Sequence, residues 1–135
     1  MAVKLSATVR NARLDAIEST IGTSAVLKIR TGAPPADVAT ADSGTVLATL
    51  NLPSDWMAAA SGGTKALSGT WQDASADSAG TAGHFRIYAS DGTTKHIQGT
   101  VTATGGGGDM TLDNAVLAAA QQFNITAFTL TDGNA

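Results

Sequence analysis

Residues 83–102 read Gly83-His84-Phe85-Arg86-Ile87-Tyr88-Ala89-Ser90-Asp91-Gly92-Thr93-Thr94-Lys95-His96-Ile97-Gln98-Gly99-Thr100-Val101-Thr102, and their apolar residues recur at every second position. Phe85, Ile87 and Ala89 share one face of a strand, while Ile97, Gly99, Val101 and the following Ala103 share one face of the next. Asp91-Gly92 between them is a hairpin signal, because glycine reaches the positive φ that tight turns require. A two-residue loop would set Phe85 against Gln98, apolar against polar. A three-residue loop, Ser90-Asp91-Gly92, sets Phe85 against Ile97 and Ala89 against Thr93. Register follows the apolar face, so the three-residue loop is expected. On the polar side His84 then faces Gln98, and His96 faces Arg86.

The same alternation spreads outward from this hairpin. Ala25, Leu27 and Ile29 alternate with Val26, Lys28 and Arg30, and Val46, Ala48 and Leu50 form a second half-buried strand after a polar loop. Leu67 to Trp71 reads as a short strand weakened by Gly69. Ala74 to Gly83 is a surface loop, and four consecutive glycines, Gly105 to Gly108, read as a flexible connection. Met110 and Leu112 open another strand, and Asn114 to Ala120 is a linker with room for one helical turn. In the last strand, Gln122 to Thr131, Phe123 and Ile125 are out of phase with Phe128 and Leu130. That needs either a bulge or two buried faces. Pro53-Ser54-Asp55 opens a turn or short helix.

Only the N-terminus carries a helical period. Leu14, Ile17 and Ile21 fall on one stripe, Asn11 can cap the start, and Gly22 suits the left-handed position that ends a helix. Residues 1–22 therefore read as an arm with a helix, and 23–135 as a single β-sandwich domain. The expected fold is mainly β, an antiparallel sandwich or jelly-roll-like arrangement with a short N-terminal helix.

Composition narrows the function. Ala, Thr, Gly and Ser fill 70 of 135 positions, so the core is thin and part of the stability is expected from subunit contacts. Without cysteine there is no disulfide, thiol nucleophile or thiolate-bound metal. The eight basic residues are scattered on a chain of net charge −3, which gives no electrostatic basis for nucleic-acid binding. No apolar run approaches the ~20 residues that span a bilayer, and Met1 to Arg10 lacks the apolar segment of a secretory signal.

The chemistry-bearing residues form no catalytic pattern. His84 and His96 would be diagonal neighbours, but a zinc site needs a third ligand and Arg86 stands between them. No serine occupies a nucleophile elbow. Asp73 and Asp77 sit in a loop that cannot fix their separation. The glycine run is followed by a strand rather than the helix a phosphate cradle needs. No enzyme activity and no cofactor is expected.

Three strings, Gly83-His84-Phe85-Arg86-Ile87-Tyr88, His96-Ile97-Gln98-Gly99-Thr100-Val101 and Gly69-Thr70-Trp71-Gln72-Asp73, resemble stretches of small virion structural proteins of tailed bacteriophages. That resemblance implies a head decoration or cement subunit, or a head–tail component, made in the host bacterial cytoplasm and carried in the virion. Its partners would be the major capsid protein or other virion subunits, with self-association and no role for nucleic acid or membrane. A tail, connector or fibre-anchoring subunit is the alternative within the virion. From another class, a carbohydrate-binding module would use Trp56 or Trp71 as a sugar platform. Candidate contact residues are Arg10, Arg13, Leu14 and Ile17 on the helix, Trp56 in its turn, and His84, Arg86, Tyr88 and His96 on the polar hairpin face.

Overall fold

A computed structural model describes residues 3–135. One helix, α1 (Ala7–Ile21), precedes nine strands: β1 (Val26–Thr31), β2 (Val46–Asn51), β3 (Thr64–Ala66), β4 (Gln72–Asp73), β5 (Gly80–Tyr88), β6 (Lys95–Ala103), β7 (Met110–Leu112), β8 (Val116–Leu117) and β9 (Phe123–Thr131). The expected mainly β chain with a short N-terminal helix is present. Its ladders, however, form one curled mixed sheet in the order β2-β1-β5-β6-β7-β9-β3, with β4 on β9 and β8 on β5. The two antiparallel layers expected of a sandwich are not what these pairings describe.

The departure from the expected topology lies at the four glycines. β6 and β7 run parallel, Val101 beside Met110 and Ala103 beside Leu112. Parallel neighbours ordinarily need a crossover of a dozen residues or more. Here the chain turns back within Thr104 to Asp109, folding onto Thr102. A Cβ on Gly106 would lie 2.7 Å from the Thr102 side chain, and one on Gly108 would lie 2.8 Å from the Thr102 nitrogen. Gly105 and Gly107 have φ of 87° and 80°, the left-handed region that glycine occupies without strain. The run is a packed reversal rather than a flexible connection.

The hairpin register also moves. Phe85 lies opposite Gly99 and Ile87 opposite Ile97, with a bulge before Tyr88 pairs with Lys95. Ala89 closes the turn by accepting from Gly92 and donating to Thr94, so the loop is one residue longer than expected. Gly92 keeps its left-handed backbone, φ 68°. Loop and bulge together shift the pairing by two residues, which preserves the apolar face. On the other face His84 now meets Thr100 and Arg86 meets Gln98. The expected diagonal pairing of His84 with His96 does not occur.

Smaller departures have local causes. The strand expected over Leu67 to Trp71 does not form: Gly69, with φ 70°, lies in the connection between β3 and β4, where Leu67 makes an isolated bridge to Met57. Asn114 to Ala120 contains β8 rather than a helical turn, and no helix forms after Pro53. In β9 Leu112 pairs with Ile125 while Thr111 pairs with Ala127. Thr126 is thus the extra residue of a bulge, which brings Phe123, Ile125 and Phe128 all inward. Helix α1 begins a turn early, where the Ser6 hydroxyl accepts from Val9 N–H. Asn11 is interior to it, and its carbonyl oxygen instead accepts from Gly63 N–H at 2.9 Å.

The core runs along an aromatic chain: Trp56 to Trp71 at 6.0 Å, Trp71 to Phe128 at 5.7 Å, and Phe128 edge-on to Phe85 at 5.4 Å. Leu27, Ile29, Leu47, Ile87 and Met110 fill the space around it. Each such side chain stabilises the fold by roughly 1.5–3 kcal/mol relative to exposure.

Candidate subunit interface

The outer side of β1, β5 and β6 carries charge, and the chain covers it with its own loop from Gly32 to Thr45. Arg86 is the anchor. Its guanidinium donates to Thr40 O and Asp42 Oδ1 through one nitrogen, and to Asp37 O and Gln98 Oε1 through the other. Asp42 also accepts from Arg30 at 3.0 Å and from the Tyr88 hydroxyl at 2.9 Å. Burial pushes the Asp42 carboxyl up, but the hydrogen bonds from Tyr88 and Arg86 and the charge of Arg30 outweigh it, and its pKa lies below the ordinary value. His84 Nδ1 meets Gly32 O at 2.8 Å. Three of the expected contact residues, His84, Arg86 and Tyr88, are therefore enclosed within the chain, each at most 1% exposed. A partner would meet the loop before it met them.

Trp56 is likewise interior, because its indole N–H donates to Gly22 O at 2.9 Å at the end of α1. Trp71 is buried beside it and donates to Trp56 O. Neither indole offers a face to solvent, so the platform a carbohydrate-binding module would need is absent among the described residues.

Helix α1 lies on its own domain rather than reaching outward. Leu14 and Ile21 are buried, and three polar ties fix the helix. Arg10 donates to Asp132 O, Arg13 meets Asp132 Oδ2 at 3.2 Å, and Lys65 of β3 rises between Asp15 and Glu18. Burial works against the Lys65 ammonium, but the hydrogen bonds to the two carboxylates prevail and its pKa is raised. Asp15 is lowered by the same Lys65 bond and by Ala60 N–H. At the C-terminal end Leu5 N–H donates to Asn134 O at 2.7 Å.

What remains open at the surface brings together part of the expected set. Arg13, Ile17 and His96 line one groove beside α1, together with Ala16, Thr20 and Ile21. Arg13 and Ile17 also border a second groove, of about 550 Å³, closed on its far side by Thr131 to Asn134. His96 reaches the helix because the bulge in β6 removes it from the polar face it was expected to share with Arg86.

A second surface was missed. Thr100, Thr102, Thr111, Thr129 and Thr131 alternate along β6, β7 and β9 with the inward residues Val101, Met110, Leu112 and Phe128, and Thr104 follows at the end of β6. Their hydroxyls are largely spent within the chain: Thr126 Oγ1 lies 2.8 Å from that of Thr104 and 2.7 Å from that of Thr111, and Thr100 donates to Asp109. The alternation Thr100-x-Thr102-x-Thr104 is plain in the sequence; what it could not reveal is that parallel pairing sets Thr111 beside it.

No group of three or more potential metal ligands comes together among the described residues. No family model, curated protein or solved structure matches the chain.

Proposed function

We propose that this chain is a non-enzymatic structural subunit of a tailed-phage virion, acting as a head decoration or cement protein through contact area. The observation that carries the reading is the threonine-rich face of β6, β7 and β9, where Thr100 holds the Asp109 carboxylate. Exposed sheet faces usually hold charged side chains that discourage association. This one presents mostly small residues, and the hydroxyls of Thr100, Thr102, Thr104 and Thr111 already bond to the chain, so little of their hydration is lost when a partner covers them. The grooves beside α1 adjoin the open helix and extend the available surface. The charged residues that could recruit a ligand are held by intramolecular pairs, Arg86 and Arg30 by Asp42, and Lys65 by Asp15 and Glu18.

The test is the mass of the purified chain in solution, followed by binding to empty capsids of wild type and Thr111→Glu. A monomer that binds capsids, and loses binding when the charge is introduced, supports the decoration role. A defined trimer or ring that ignores capsids moves the function to a tail, connector or fibre-anchoring element. A monomer that binds neither capsids nor other virion subunits overturns the structural reading.

A further inference from the structure

Lys65 sits in an unusual place for a lysine. Its side chain is 2% exposed, and its ammonium meets Asp15 Oδ1 at 2.7 Å, Glu18 Oε2 at 2.9 Å and Ala58 O at 2.9 Å. Burying a cation costs several kcal/mol, and an apolar side chain could pin α1 to β3 without that cost. The surrounding groups are those required to make an amide from an amine and a carboxyl. A nitrogen touches the carboxyl it would attack, and a second carboxylate touches the same nitrogen. A backbone donor, Ala60 N–H, lies 2.9 Å from Asp15 Oδ1, where it polarises the carboxyl and would stabilise the tetrahedral intermediate.

The geometry points to an intramolecular isopeptide bond between Lys65 Nζ and the side-chain carbonyl carbon of Asp15, formed by the chain itself with Glu18 as proton carrier. Lys65 passes a proton by way of Glu18 to the Asp15 carboxylate, and the freed lone pair attacks the carbon of the resulting neutral acid. Of the three ammonium protons, one stays on the amide. The other two travel in turn through Glu18 to one Asp15 oxygen, which leaves as water, and Glu18 ends as the carboxylate it began as. No oxidant, metal or activated donor is needed. Ala58 O holds the nitrogen in place, and Met57 N–H holds the other Glu18 oxygen at 3.0 Å. The reacting atoms thus meet as one prearranged unit. Asp15, half exposed, opens onto a cleft of about 510 Å³ through which the water departs. The ion pair is the resting state, so the bond forms slowly, as the buried ammonium gives up its proton.

The experiment is the intact mass of the full chain, held folded at neutral pH for days, followed by proteolysis. The expected result is the loss of one water, mapped to a branched peptide joining Asp15 to Lys65, with Glu18→Gln at full mass. Because that variant could fold poorly, the decision rests on the wild-type map, and Lys65→Met controls for packing. Full mass in the wild type overturns the proposal. So does a lost water that maps to a succinimide at Asp91-Gly92 or Asp132-Gly133, where an aspartate preceding glycine dehydrates by a different route.

Discussion

Gly99 stands directly opposite Phe85 in the hairpin, and a Cβ at Gly99 would lie 2.7 Å from the Phe85 ring. The ring occupies the space a side chain would take, and from there it meets Phe128 edge-on. Gly99→Ala is therefore expected to destabilise the fold by about 1–3 kcal/mol through overpacking. Thermal unfolding of the variant checks this; an unchanged midpoint would mean that Phe85 moves aside freely.

Arg86 holds the Gly32–Thr45 loop with three hydrogen bonds and Gln98 of β6 with a fourth. Arg86→Met keeps the stem but leaves Asp42 and the loop carbonyls short of a donor. The expected cost is about 2–3 kcal/mol, toward the low end for a broken buried pair because Asp42 is a third exposed. Limited proteolysis should then cut between Pro35 and Ser43 faster than in the wild type.

The same loop responds to acid. The folded-state pKa of Asp42 is depressed, so its stabilising contribution is fully present above the ordinary carboxylate value. It is lost as pH falls through the lower folded value. Asp42→Asn should lower the melting temperature near pH 7 and flatten its decline in acid. Equal slopes for the two proteins would remove Asp42 from the account.

Trp56→Phe deletes the indole bond to Gly22 O while keeping most of the ring volume. The expected loss is about 1 kcal/mol, with a larger effect if the Gly22 carbonyl finds no other donor. Urea unfolding followed by circular dichroism measures it independently of the altered fluorescence.

Much of the fold was legible in the sequence because it depends on local pattern. Period two marked β1, β2, β5, β6 and β9, and Leu14, Ile17 and Ile21 marked α1. Burial of the apolar hairpin face survived a wrong register, since a two-residue shift returns each side chain to its side. The misses depended on contacts far along the chain. Nothing near Gly105 announces that the run packs on Thr102, and so the parallel pair was invisible. Arg86 and Tyr88 alternate as an exposed polar face would, and only a loop forty-odd residues earlier, carrying Asp42, makes them interior. Nothing beside Lys65 in the sequence signals its burial for the same reason, because its carboxylates come from a helix about fifty residues away. Trp56 looked like an anchor for a partner; its partner is the Gly22 carbonyl.

The tie between Leu5 and Asn134 makes the described chain nearly a closed circuit, with its first and last segments joined by a hydrogen bond and by the Arg10 and Arg13 contacts to Asp132. In such a circuit the packing depends little on where the chain is opened. A short bridge across this seam, with a new opening at the exposed Ala74–Ser75 turn, would yield a circular permutant that keeps the ladders and the aromatic chain.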